Sequence, residues 1–240
     1  VTEERIAKVI ARAGYCSRRE AEKWIEAGRV KMNGSLVITL GTKVETGALV
    51  TIDDKPIAAT VHSRLWVYHK PRGLITTHTD PEGRPTVFDN LPSFMPRVIS
   101  VGRLDINTEG LLLLTNDGEL ARYLELPSTA WQRKYRVRVF GKLNMDRLSA
   151  VARGITIDKI KYKPIEIELE QQTGNNFWLN VTLTEGKNRE IKRIFEHYGL
   201  QVNRLIRISY GPFTLGNLAK GAVQEIDHKI IATEIGSQAK

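Results

Sequence analysis

The sequence predicts an α+β chain in two parts: a small N-terminal module, residues 1–60, and a larger domain, residues 61–240, on a mixed, mainly antiparallel sheet with flanking helices. Three observations lead there. Helical spacing dominates the first 30 residues, strand-like alternation takes over from Leu65, and no short-period repeat links the two. A chain of 240 residues is long enough for a small and a medium domain, each with its own core.

In the N-terminal module, Ile6, Val9, Ile10 and Ala13 fall on one helical face, and Gly14 ends the helix. Ser17-Arg18-Arg19-Glu20 reads as a capping box that starts a second helix through Ala21, Trp24 and Ile25 to Gly28. Arg29 to Met32 alternates basic and apolar residues before Asn33-Gly34, a hairpin turn signal. A strand at Leu49–Ile52 completes the unit near residue 56, and residues 57–64 read as a linker.

Strands follow at Leu65–His69, at the apolar Leu111–Thr115, and at Lys134–Val139, where Tyr135, Val137 and Val139 alternate with Lys134, Arg136 and Arg138. Further strands are expected at Ile165–Glu170, Trp178–Leu183 and Arg204–Ser209. Helices are expected at Glu119–Leu124, Asn144–Val151 and Arg189–Tyr198, each closed by Pro or Gly. The Lys229–Lys240 tail carries no clear pattern.

Charge narrows the function. The net charge is +9, and between Arg5 and Lys31 eight basic residues face three acids. Such a surplus favours a polyanion as partner. Arg18 and Arg19 sit in the first turn of a helix, where the macrodipole disfavours cations by about 0.3–1 kcal/mol each. A phosphate ligand accounts for them better than stability does. The single cysteine, Cys16, excludes an intrachain disulfide and a multi-cysteine zinc site; it suits a reducing cytoplasm and reads as a small, partly buried residue. The five histidines lack metal-ligand spacing, and there is no Walker-type loop or G-x-G-x-x-G motif, so no metal and no cofactor are expected. No apolar run is long enough to span a bilayer and the N-terminus lacks a secretory pattern, so no membrane partner is expected.

The densest motif is Gly102-Arg103-Leu104-Asp105-Ile106-Asn107-Thr108-Glu109-Gly110, a polar loop entering a buried strand. Alone, an Asp there is usually a turn residue. The whole string, however, resembles the central motif of the ribosomal RNA pseudouridine synthases, both type A, for the small ribosomal particle, and type B, for the large one. Three more blocks agree in order: residues 69–92, "RKYRVRVFG" at 133–141 and "EGKNREIKRIFEHYGLQVNRLIRISYGPF" at 185–213. Residues 5–34 resemble an S-four-type (α-L) RNA-binding domain, which implies structured RNA without specifying any chemistry.

That resemblance implies an enzyme converting uridine to pseudouridine in ribosomal RNA, nearest to type B and hence on 23S RNA near the peptidyl-transferase region. Type A, on 16S RNA, is the alternative. A non-catalytic ribosome-assembly factor and a methyltransferase are the competing classes, the latter disfavoured by the missing glycine-rich loop. The resemblance also implies a monomer. It makes Asp105 the catalytic carboxylate, acting on ribose directly or through a glycal. Such a carboxylate must be ionised where water is excluded, and a fixed cation favours that; the aligned cation is Lys192, whose plain reading is a solvated helix lysine. Tyr135, otherwise a core residue, would lie against the base, and Ile191 and Leu205 would wall its pocket. Arg103 would fill the space left by the flipped nucleotide, the alternative being an ion pair with Asp105 or Glu109. Candidate RNA contacts are Arg18, Arg19, Arg29, Lys70, Arg84, Lys134 and Arg189, with Arg72, Arg136 and Arg138 beside them; each alone reads as a solvated charge.

Overall fold

A computed structural model describes residues 4–45, 47–57 and 62–236. The expected boundary at 60/61 and half of the expected linker at 57–64 therefore fall outside the described residues.

The N-terminal part runs β1 (Glu4–Arg5), α1 (Ile6–Arg12), α2 (Arg18–Glu26), β2 (Val30–Met32), β3 (Ser35–Leu36), β4 (Lys43–Val44), β5 (Val50–Ile52) and β6 (Lys55–Pro56). Ser17 caps α2 as its sequence suggests, its Oγ accepting the Glu20 N–H at 3.2 Å. Asn33 and Gly34 both take positive φ (52° and 82°), the turn that lets β2 fold back on β3. Ile6, Ile10, Ala21, Ile25, Val30, Val50 and the buried Cys16 form a core of their own.

The larger part continues with β7 (Leu65–Lys70), β8 (Ile99–Val101), β9 (Thr108–Thr115), α3 (Gly118–Glu125), β10 (Arg133–Phe140), α4 (Met145–Leu148), β11 (Ile155–Ile157) and β12 (Ile160–Tyr162). Next come β13 (Glu166–Thr173), β14 (Asn176–Leu183), α5 (Glu190–His197), β15 (Gln201–Tyr210), β16 (Phe213–Thr214), β17 (Val223–Glu225) and α6 (His228–Ile235). A nine-stranded sheet runs β13-β14-β10-β15-β9-β7-β17, with β8 on β9 and β16 on β15. Every pairing of these strands is antiparallel except one. Strands β15 and β9 lie parallel, with Leu205 opposite Thr108 and Arg207 opposite Gly110. The expected fold class is borne out.

That parallel seam explains the first departure from expectation. Strand β9 begins at Thr108, three residues before the apolar run, because pairing with β15 recruits Thr108-Glu109-Gly110. Glu109 is 1% exposed and offsets its burial with Arg204 at 2.6 Å and Lys220 at 2.8 Å. Gly110 has φ +104°, and a Cβ there would lie 2.2 Å from the Arg207 carbonyl oxygen. Only glycine admits this approach of the two strands. Strand β13 also runs past Glu170 to Thr173, since β14 pairs with it to Asn176. The expected helix at Asn144–Val151 is shorter: after α4 the chain tightens into a 3₁₀ turn, Ser149–Arg153, and stops at Gly154 with φ +84°.

The tail is the clearest miss. Residues 228–235 form α6, capped by Asp227 and burying Ile231 and Ile235 against Leu65, Leu111 and Phe213. Two apolar residues four apart are too little signal without the sheet that receives them. Residues 237–240 lie outside the described residues. No described helix is long and apolar enough to cross a membrane.

Candidate active site

Asp105 stands in the loop between β8 and β9, and its backbone is fixed from beneath. The Lys70 ammonium donates to the carbonyls of Pro71 (3.1 Å), Asp105 (3.2 Å), Ile106 (3.3 Å) and Thr108 (2.9 Å). Thr76 Oγ1 donates to Leu104 O at 3.0 Å, the Gly73 N–H to Ile106 O at 2.8 Å, and the Thr108 N–H to Asp105 O at 2.9 Å. Lys70 is fully buried, so it is not a phosphate contact; that expectation is corrected. Its charge is spent on loop carbonyls. Burial pushes it down to about 8, against the pull of Asp105 and Glu109.

Above this floor opens a cleft of about 430 Å³ at the parallel seam. Seven candidate residues line it together: Arg103, Asp105, Tyr135, Arg189, Ile191, Lys192 and Leu205. Lys192 Nζ donates to Asp105 Oδ2 at 2.9 Å. Helix α5 makes this possible by burying Ile191, Ile194 and Phe195, worth about 1.5–3 kcal/mol each, against the sheet. Lys192 is thereby largely covered, not the solvated helix lysine of the plain reading. Tyr135 points inward from β10, opposite Val181 and Arg207, with Ile191 and Leu205 also 6–8% exposed. Its hydroxyl engages no hydrogen bond among the described residues.

Arg103 is exposed at the rim and makes no ion pair or hydrogen bond among the described residues. The alternative of a pairing with Asp105 or Glu109 is absent: Asp105 holds Lys192, and Glu109 holds Arg204 and Lys220. Arg189, in a left-handed conformation (φ 53°), precedes α5 on the cleft wall without a side-chain capping bond, its guanidinium 3.5 Å from Glu196.

The remaining candidates lie elsewhere. Lys134, Arg136 and Arg138 take the opposite sheet face from Tyr135, where Arg136 covers the Trp178 ring at 4.3 Å and bonds Glu170. Arg84 forks onto Asp80 (2.8 and 3.0 Å), holding that carboxyl down to about 2. In the N-terminal part, Arg29 forks onto Asp53 over the Trp24 ring, Arg18 meets Glu22 at 3.4 Å, and Arg19 is exposed.

Several lining residues fall inside the blocks quoted above but are not singled out by the sequence. Arg207 is 3% exposed, donates to Leu111 O at 2.7 Å, and with Arg133 flanks the Tyr210 ring at 5.1 and 4.7 Å. Glu185, Lys187 and Glu190 form the wall nearest α5. Their roles depend on contacts across the sheet, which spacing alone does not encode. A cleft with Ile191 and Leu205 on its walls, a carboxylate on a fixed loop, an ammonium against it and a phenol beside it can hold a flat base and act on its sugar.

Known proteins match this chain. The family model for RNA pseudouridylate synthase covers residues 64–197, and that for the S4 domain covers residues 4–50. The chain belongs to the RNA pseudouridylate synthase family. It is thus an enzyme that isomerises uridine in RNA; Asp105, Tyr135 and Lys192 fall within the matched segment, while Leu205, Arg207 and Tyr210 of the cleft lie beyond it. An uncharacterized RNA pseudouridine synthase of Rickettsia felis is 51% identical over 95% of this chain and 99% of its own length. Ribosomal large subunit pseudouridine synthase B of Salmonella typhi is 47% identical over 93% of this chain and 79% of its own. A crystal structure of a pseudouridylate synthase superposes with a TM-score of 0.65 at 27% identity, covering 95% of this chain and 98% of that one.

Proposed function

We propose that this pseudouridine synthase acts on ribosomal RNA, on a uridine of the 23S RNA, with Asp105 as its catalytic carboxylate. The contact between Asp105 and Lys192 inside the cleft carries this reading. An ammonium at 2.9 Å aims the carboxylate, while Lys70 keeps its loop from moving. The target nucleotide leaves its stack, and Arg103 occupies the gap. Asp105 then adds to C1′ of the ribose or removes a proton from C2′ to give a glycal; by either route the bond from C1′ to N1 breaks. The uracil turns between Ile191 and Leu205 and C5 bonds to C1′, which expels the Asp105 carboxylate from its ester or, from the glycal, goes with return of the proton to C2′; the C5 proton then leaves with help from the Tyr135 hydroxyl, and N1 takes up a proton. No atoms are gained or lost overall.

The assignment to 23S ribosomal RNA rests on the 47% identity to the synthase B relative. Arg18, Arg19 and Arg29 supply phosphate contacts from the N-terminal module, with Arg189 at the cleft; we place the division between module and catalytic domain at about residues 60/61. The enzyme works as a monomer, in the cytoplasm where ribosomes assemble. To test the target, 16S and 23S transcripts lacking modifications are incubated with the enzyme, and pseudouridine is mapped by carbodiimide labelling and primer extension. One site in 23S RNA near the peptidyl-transferase region is expected. A stop in 16S RNA alone would overturn the assignment.

A further inference from the structure

The wall of the cleft next to α5 contains a pair of carboxyl groups that the mechanism above leaves unused. Glu190, the first residue of α5, is 4% exposed. Its Oε2 accepts the Lys187 N–H at 2.9 Å, and its Oε1 is buried with no donor among the described residues. The Glu185 carboxyl lies within hydrogen-bonding reach of this side chain. Glu185 is supplied from elsewhere: Oε1 accepts the Lys163 N–H at 2.7 Å, and Oε2 accepts Lys187 Nζ at 2.5 Å. Lys187 Nζ also donates to Lys161 O at 2.7 Å.

Two carboxyl groups bond each other only if one keeps its proton. Glu185 has a cation and a backbone donor, so the proton belongs on Glu190. We propose that Glu190 is a positioning residue: its protonated carboxyl bridges to Glu185, closes the 185–190 loop onto the β11–β12 hairpin, and sets the first turn of α5 from which Lys192 reaches Asp105. The inference rests on the Asp105–Lys192 reading above.

Burial, reinforced by the Glu185 charge, pushes Glu190 up to about 7. The charged and titratable groups around it are Glu185 and Lys187 on its loop, Lys161 and Tyr162 on the hairpin, Arg133 on β10, and Lys192 with Asp105 across the cleft. Above neutrality Glu190 and Glu185 repel in a buried space, the loop loosens, and Lys192 loses its anchor. Activity therefore falls as pH rises through the Glu190 midpoint.

The test compares kcat for tritium release against pH in the wild type and in Glu190→Gln. Glutamine is neutral at every pH and donates an N–H to Glu185, so it reproduces the bridge without the proton. The ratio of mutant to wild-type kcat is expected near one at pH 6 and to climb above it, by up to about tenfold per unit past the midpoint, with KM little changed. A carbon-13 titration of the glutamate carboxyls should show one wild-type signal turning over near neutrality that is missing in Glu190→Gln. Superimposable profiles, an inactive but folded Glu190→Gln, or no such wild-type signal would each overturn the proposal. Because the carboxyl titration needs no turnover, its result is independent of whether Asp105 is the catalytic group.

Discussion

Replacing Lys192 with methionine keeps the length and apolar stem of the side chain and removes the ammonium 2.9 Å from Asp105 Oδ2. At that distance two unit charges attract by about 6 kcal/mol at an effective dielectric of ~20. The Lys192 side chain is 11% exposed and that of Asp105 32%, so water at the cleft mouth screens part of this. Roughly 3 kcal/mol remains as a working figure, on the order of a hundredfold in rate. On the proposed mechanism the loss belongs in the chemical step, because there the cation aims the reacting carboxylate and Arg103 still meets the RNA. Single-turnover tritium release from saturating RNA measures that step directly. Lys192→Met should be about 30- to 1,000-fold slow with RNA affinity nearly unchanged, and Lys192→Arg should recover part of the rate. A methionine variant within about threefold of wild type, or one impaired only in affinity, would refute the reasoning.

Three further outcomes follow from the same geometry. Lys70→Met leaves up to four loop carbonyls without their shared donor, costing roughly 3–5 kcal/mol; the melting midpoint should drop by about 6–15 °C, with faster hydrogen exchange at Gly73 and Thr108, and an unchanged midpoint would contradict it. Gly110→Ala forces a Cβ onto the Arg207 carbonyl at positive φ, so the variant should lose at least about 3 kcal/mol or fail to accumulate as soluble protein; a stable Gly110→Ala would mean that the parallel seam is misplaced. Arg18→Ala with Arg19→Ala should weaken RNA binding and flatten its dependence on salt by about two contacts, whereas an unaltered slope would return both to ordinary surface charge.

The fold class was legible because it rests on local pattern, and the place of Asp105 in the cleft because the string around it resembles a known motif. Helical spacing from Ile6 to Ala13, the Asn33-Gly34 turn and the alternation around Tyr135 all form as their residues suggest. The same alternation separates Tyr135 from Lys134 and Arg138, which face away from the cleft. What depends on pairing was hidden: β9 starts early because β15 lies beside it, and α6 forms because Ile231 and Ile235 find the sheet. Lys70 was misread because lysines are seldom fully buried, and only the folded loop supplies four carbonyls to one ammonium. Glu190 escaped notice because its meaning lies in Glu185, five residues back and across a turn. Lys192 was legible through its place in the closing block, and the fold adds what spacing could not: a partner at hydrogen-bonding distance.

The central claim is that Asp105 performs the chemistry. Ribosomal RNA tritiated at C5 of uridine is incubated with wild type and with Asp105→Asn, which preserves shape and removes the charge. Wild type should release tritium while the variant binds the RNA with similar affinity and releases none. Equal release from both would contradict the account.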